Sequence, residues 1–170
     1  MILGMSLSAF TLLHVVLSLI GIVAGFVAVA GLLGSRVVRG WTGVFLATTV
    51  LTSVTGFMFP FDKFLPSHVV GVISLIVLAV ALIALYGYHL ERSWRWVYAV
   101  SALIALYLNV FVLVAQAFAK VRFLNALGPT PSDPAFIVAQ LIVLVLFVVL
   151  GFRAVRSFRP EGDSPALRGA

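Results

Sequence analysis

The chain alternates long apolar runs with brief polar breaks. Five runs stand out, approximately Ala9 to Leu33, Gly43 to Phe59, Ser67 to Leu90, Val97 to Ala119 and Ala135 to Phe152. At about 1.5 Å per residue, each is long enough as a helix to cross a hydrocarbon core of roughly 30 Å. The breaks are Gly34 to Gly40, Pro60 to Pro66, Glu91 to Arg95 and Lys120 to Pro134. Connections this short force adjacent, antiparallel packing. The clearest hairpin is Thr48 to Ser74, where a hydroxyl-rich helix end meets a Pro-bounded turn with Asp62 and Lys63, and Pro66, Ser67 and His68 open the next helix. The pattern predicts an all-α integral membrane protein. Its five-transmembrane-helix bundle occupies 1–159, with helices at about 9–33, 43–59, 67–90, 97–119 and 135–152. The polar tail from Pro160, broken by a second proline, is expected to be disordered and cytoplasmic.

Orientation follows from the distribution of Lys and Arg. With the N-terminus outside, Arg36, Arg39, Arg92, Arg95, Arg153, Arg156, Arg159 and Arg168 fall inside, and only Lys63, Lys120 and Arg122 outside. This division predicts N-out, C-in. Trp41, Trp94, Trp96, Tyr86, Tyr88 and Tyr98 fall near the same inner boundary and read as an interfacial belt, while Phe57, Phe59, Phe61 and Phe64 crowd the outer hairpin. The first run lacks a preceding Lys or Arg and is longer than a signal core, so it reads as a retained helix although Ala28-Val29-Ala30 resembles a cleavage site. Arg153, Arg156 and Arg159 form a basic face suited to anionic lipid.

Composition agrees: 63% of residues are hydrophobic, 9% are charged and the mean hydropathy is +1.23. A soluble domain carries about a quarter charged residues. The net charge of +6 resides in single basic residues at the ends of apolar runs, which membrane topology explains without nucleic acid. The absence of Cys removes disulfides, thiolate metal sites and thiol redox chemistry.

Chemistry, if any, falls to intramembrane polar residues. Tyr98, Ser101, Asn109, Gln116 and Lys120 share an arc of about 100° on the fourth helix, and Thr48, Thr52 and Thr55 align on the second. Amides and hydroxyls avoid lipid, so both stripes should face the bundle interior, either tying helices together or lining an outward-opening polar pathway. Gly21 and Gly25, extended by Ser18 and Ala28, form a small-residue packing face, with Gly71 and Ser74 doing similar work on the third helix. His89 belongs to the inner boundary. His14 and His68 lie in the outer parts of helices running in the same direction, and two imidazoles from different helices are the ligand set of a b-type haem, with Lys63, Lys120 and Arg122 placed to meet its propionates. Depth opposes that reading, because His68 starts its helix and His14 is expected to sit about 5 Å deeper. No acidic residue falls within an apolar run, and no HExxH, Walker or GxSxG motif occurs, so no metal site is expected and an enzyme is not.

The segments TSVTGFMFPF, PSHVVGVISLIVLAVALIALY and WRWVYAVSALIALYLNVFVLVAQAF resemble small uncharacterised bacterial multi-pass membrane proteins, a family without known function. The resemblance implies a bacterial inner (plasma) membrane and assigns no site residue. Three functions follow, in this order. A structural or accessory subunit would use only packing faces, with the lipid bilayer and a second copy or membrane subunit as partners. A small-solute or ion permease component would use the stripes. A haem b protein would use His14 and His68.

Overall fold

The computed structural model describes residues 2, 4–60 and 66–159. Asp62, Lys63, Phe61, Phe64, Arg168 and the tail 160–170 lie outside the described residues. Regular structure is helical: α1 (Leu7–Leu33), α2 (Arg39–Gly56), α3 (Pro66–Leu82), α4 (Trp94–Lys120), α5 (Arg122–Leu127) and α6 (Pro134–Ser157). A π-helical turn, Ile83–Gly87, prolongs α3. Four helical segments, Leu7–Leu33, Ser67–Gly87, Trp94–Lys120 and Pro134–Ser157, are long and apolar enough to cross a membrane.

The helix ends depart from the apolar runs for local reasons. Ser6 caps α1 by accepting from the Ala9 amide, which brings its start to Leu7. Helix α2 begins at Arg39 and stops at Gly56, three residues short of Phe59. Phe59 precedes Pro60, and a residue before proline is pushed away from helical geometry. Helix α6 continues past Phe152 to Ser157, because arginines end an apolar run without ending a helix, their stems lying along it. The run expected to reach Leu90 leaves helical geometry after Gly87, with His89 and Leu90 in the left-handed region at φ 48° and 62°. The short α5 has no counterpart in the expected elements.

Helices α1 and α2 form an antiparallel hairpin of constant register. His14 meets Thr55, Gly21 lies against Thr48, and Gly31 against Val38. Helix α2 continues onto α3, through Ser53 and Ser74 and through Phe57 over Gly71. Helix α3 packs on α4, and α4 returns to α1 where Leu106 covers Gly25. The four helices therefore close a ring with α1 diagonal to α3. Helix α6 leans on the outside of α4, tied by the Gln140 amide to the Phe111 carbonyl at 3.1 Å, and touches α1 through Phe147 on Phe26.

The core fills the half of the bundle away from the start of α1. Phe45, Leu78, Ala102, Tyr98 and Leu106 are at most 1% exposed there. Tyr98 thereby leaves the expected aromatic belt: it is fully buried beside Phe158, because its position on α4 faces the ring interior. Trp41, Tyr86, Tyr88 and Trp96 are exposed. Tyr88 stacks on Trp94 at 3.8 Å.

Asp133 turns back from the start of α6, and its Oδ2 accepts from both the amide and the hydroxyl of Thr130 at 2.7 Å. These two bonds hold its carboxyl below the usual carboxylate range. The sign follows: the turn is supported at neutral pH and loses that support only as pH falls from the ordinary carboxylate value through the lower folded one. In Asp133→Ala the Thr130 amide should exchange faster at neutral pH. Exchange unchanged from wild type would show the turn independent of this carboxylate.

Candidate functional site

In the half of the bundle where α1 begins, the ring does not close, and a cavity of about 610 Å³ remains among α1, α2, α3 and α4. Its size falls within the range of small-molecule pockets, roughly 300–1,000 Å³. The mouth lies between α1 and α4, since Val15 and Leu19 on one and Leu113, Gln116 and Lys120 on the other both line it and are exposed. Leu108, Asn109 and Ser74 are its deepest lining residues along α4 and α3. Beyond them, Phe45 and Leu106 close over Gly25, so the cavity ends within the bundle.

Polar groups concentrate on the wall opposite the mouth. Thr52 is 8% exposed, and its hydroxyl has no hydrogen-bond partner. A buried hydroxyl left unpaired costs about 1–3 kcal/mol. Ser53 donates to Ser74 at 3.1 Å. Asn109 donates its amide to Thr49 at 3.2 Å, fixing α4 to α2 beside the cavity. At the rim stands the Lys120 ammonium, with Arg122 two residues on. Among the described residues, no carboxylate lines it.

The two histidines line the same cavity. His14 Nδ1 lies 2.8 Å from Thr55 Oγ1, while Thr55 Oγ1 sits 2.7 Å from the Leu51 carbonyl. A carbonyl only accepts, so the single Thr55 proton goes to Leu51 and His14 must donate through Nδ1. When the imidazole is neutral, this leaves Nε2 as its acceptor nitrogen. His14 also meets the edge of Phe59, and His68, 5% exposed, stacks on Phe57 at 5.7 Å. The contacts of the two imidazoles, Thr55 and Phe57, are two residues apart in the chain.

The residues singled out from sequence divide. His14, His68, Thr52, Asn109, Gln116 and Lys120 come together at the cavity. Thr55 supports it through His14. Thr48 bonds back to the Val44 carbonyl and packs against Gly21, and Ser101 is buried in the closed half. Gly21 and Gly25 face α2 and α4, whereas Ser18 lines the cavity instead of extending that packing face. Thr49, Ser53 and Gln140 were not anticipated. Thr42, Thr49 and Ser53 repeat at seven and four residues and are all buried, a second hydroxyl row that helical spacing alone could have revealed.

Chemically, the arrangement offers hydrogen bonds, one imidazole acceptor nitrogen and a rim cation above apolar walls. Among the described residues, no three His, Asp or Glu side chains gather to hold a metal ion. No family model, curated protein or solved structure matches the chain.

Proposed function

We propose that the protein is a five-span bacterial inner-membrane protein, N-terminus out and C-terminus in, whose outer-half cavity binds a small ligand with a polar or anionic head and an apolar body. The observation that carries this reading is a cavity of about 610 Å³ that brings Thr52, Gln116 and Lys120 together with apolar walls. A bundle serving only as a packing subunit has no need of such a polar-rimmed pocket, so ligand binding stands ahead of the accessory role. The pathway stops at Phe45 and Leu106, which favours the binding component of a permease over an open pore. The mouth, flanked by Val15, Leu19 and Leu113, suits entry of an apolar body from the lipid, with the head held at the rim by Lys120.

Single cysteines test it in this Cys-free chain. A membrane-impermeant thiol reagent added from outside should label Gln116→Cys and Thr52→Cys, and leave Thr49→Cys, at a site 0% exposed, unlabelled. Protection at all three would make the polar stripe a helix-tying device and remove the ligand reading.

Haem b is the second reading, favoured by one observation: His14 and His68, from different helices, line a common cavity, and His14 Nδ1 is held by Thr55. Hydrogen bonding of the other ring nitrogen is the usual support of an axial imidazole. Protein expressed with haem supply should show a Soret band that both His14→Ala and His68→Ala abolish. A colourless wild type after haem reconstitution removes haem and leaves the thiol-labelling result to stand alone.

A further inference from the structure

A second cavity, of about 650 Å³, opens at the opposite end of the bundle, between the α1–α2 connection and the turn that follows α3. Arg36 and Arg39 enter it from one side and Tyr86 and His89 from the other, with Ser35 and the buried Thr42 completing its polar lining. Among the described residues, no acidic side chain lines it. Three nitrogen-rich side chains therefore line one concavity with no carboxylate among its described lining residues.

The frame around these groups is held by unusual backbone. Ser35, His89 and Leu90, none of them glycine, adopt left-handed φ of 59°, 48° and 62°, conformations that cost free energy and persist where surrounding bonds enforce them. Those bonds are present. The Arg36 amide returns to the Gly31 carbonyl, the Leu90 amide to Ala84 across the π-helical turn, and the Ser35 hydroxyl donates to the Arg159 carbonyl at 2.7 Å. The basic groups are thus presented by two braced connections, unlike Arg153 and Arg156, which project from the plain helical end of α6.

We infer that this cavity binds a phosphate oxyanion, with the Arg36 and Arg39 guanidiniums as its principal donors. Guanidinium matches phosphate through paired N–H donors, and the exposed Tyr86 hydroxyl supplies a further partner. Two sources share this chemistry: the headgroup of an anionic phospholipid in the adjoining leaflet and a soluble phosphate compound. The site lies outside the cavity that carries the proposed function, and binding to detergent-solubilised protein does not depend on the orientation proposed above.

The test is native mass spectrometry of the purified protein with phosphatidylglycerol or phosphatidylcholine, beside thermal melting with inorganic phosphate. Wild type and Arg153→Gln/Arg156→Gln should retain phosphatidylglycerol, and Arg36→Gln/Arg39→Gln should bind it about tenfold or more weakly. Phosphate that raises the melting temperature of wild type and not of the Arg36/Arg39 variant, without lipid preference, assigns the same site to a soluble source. Arg39→Lys keeps the charge and loses the fork, so it carries the test should the double variant fail to fold: weaker retention at unchanged melting is expected. Equal losses in both double variants, retention unchanged in the Arg36/Arg39 variant and in Arg39→Lys, or no binding of either phosphate source by wild type would overturn the inference.

Discussion

Gly25→Leu is expected to lower the melting temperature of the detergent-solubilised protein. A Cβ at this position would fall 2.6 Å from Leu106 Cδ1 and 2.9 Å from Phe45 Cδ2. Phe45 and Leu106 are themselves fully buried, so they cannot swing into solvent to make room. Overpacking of this kind typically costs about 1–3 kcal/mol, and here it acts on α1, α2 and α4 together. Helix propensity works the other way, favouring Leu over Gly by under about 1 kcal/mol, and does not offset the clash. Gly151→Leu is the control: a Cβ there meets nothing within 4 Å, so it should melt at or above the wild-type temperature. If Gly25→Leu and Gly151→Leu melted alike, the ring would not be closing at Gly25.

Reporter fusions should give opposite signals on the two sides of α6. Green fluorescent protein fused after Arg159 or inserted at Arg36 should fluoresce, and alkaline phosphatase at Ser132 should be active. The outcome depends on whether α2 crosses the membrane. By hydropathy it falls outside the four evident spans, and with four the two ends of the chain would lie on one side. Its 18 residues nonetheless extend about 27 Å and stay in register with α1 from Val38 to Thr55. The hydroxyls that lower its hydropathy do not meet lipid: Thr48 and Thr55 bond back to the carbonyls of Val44 and Leu51, Ser53 bonds Ser74, and Thr49 accepts from Asn109. A span enclosed by its neighbours need not be apolar all round. Phosphatase activity after Arg159 would mean that α2 does not cross.

That helix also marks what the sequence could and could not convey. Apolar runs locate α1, α3, α4 and α6 because hydrocarbon demands the same property of each. Their ends were less legible, since caps such as Ser6 and the strain before Pro60 act through single bonds that a run does not register. Within the site, the stripe on α4 correctly groups Asn109, Gln116 and Lys120, because one helical face is a one-dimensional fact. What it could not convey was where that face stops meeting other helices. Asn109 is buried against Thr49, whereas Gln116, two turns further on, is exposed at the mouth of the cavity. Likewise nothing in the spacing of His14 and His68 along the chain announces that they line one cavity.

The position of α6 has a consequence for how the molecule is made. No residue of α6 lines the cavity, whose walls come from α1 to α4 and the connections beside them. Synthesis runs from the N-terminus, so every wall-forming side chain precedes the last span in the order of translation. Once α1 to α4 have emerged and packed, the walls of the pocket are all present, and α6 arrives as a buttress to a chamber that owes it no side chain.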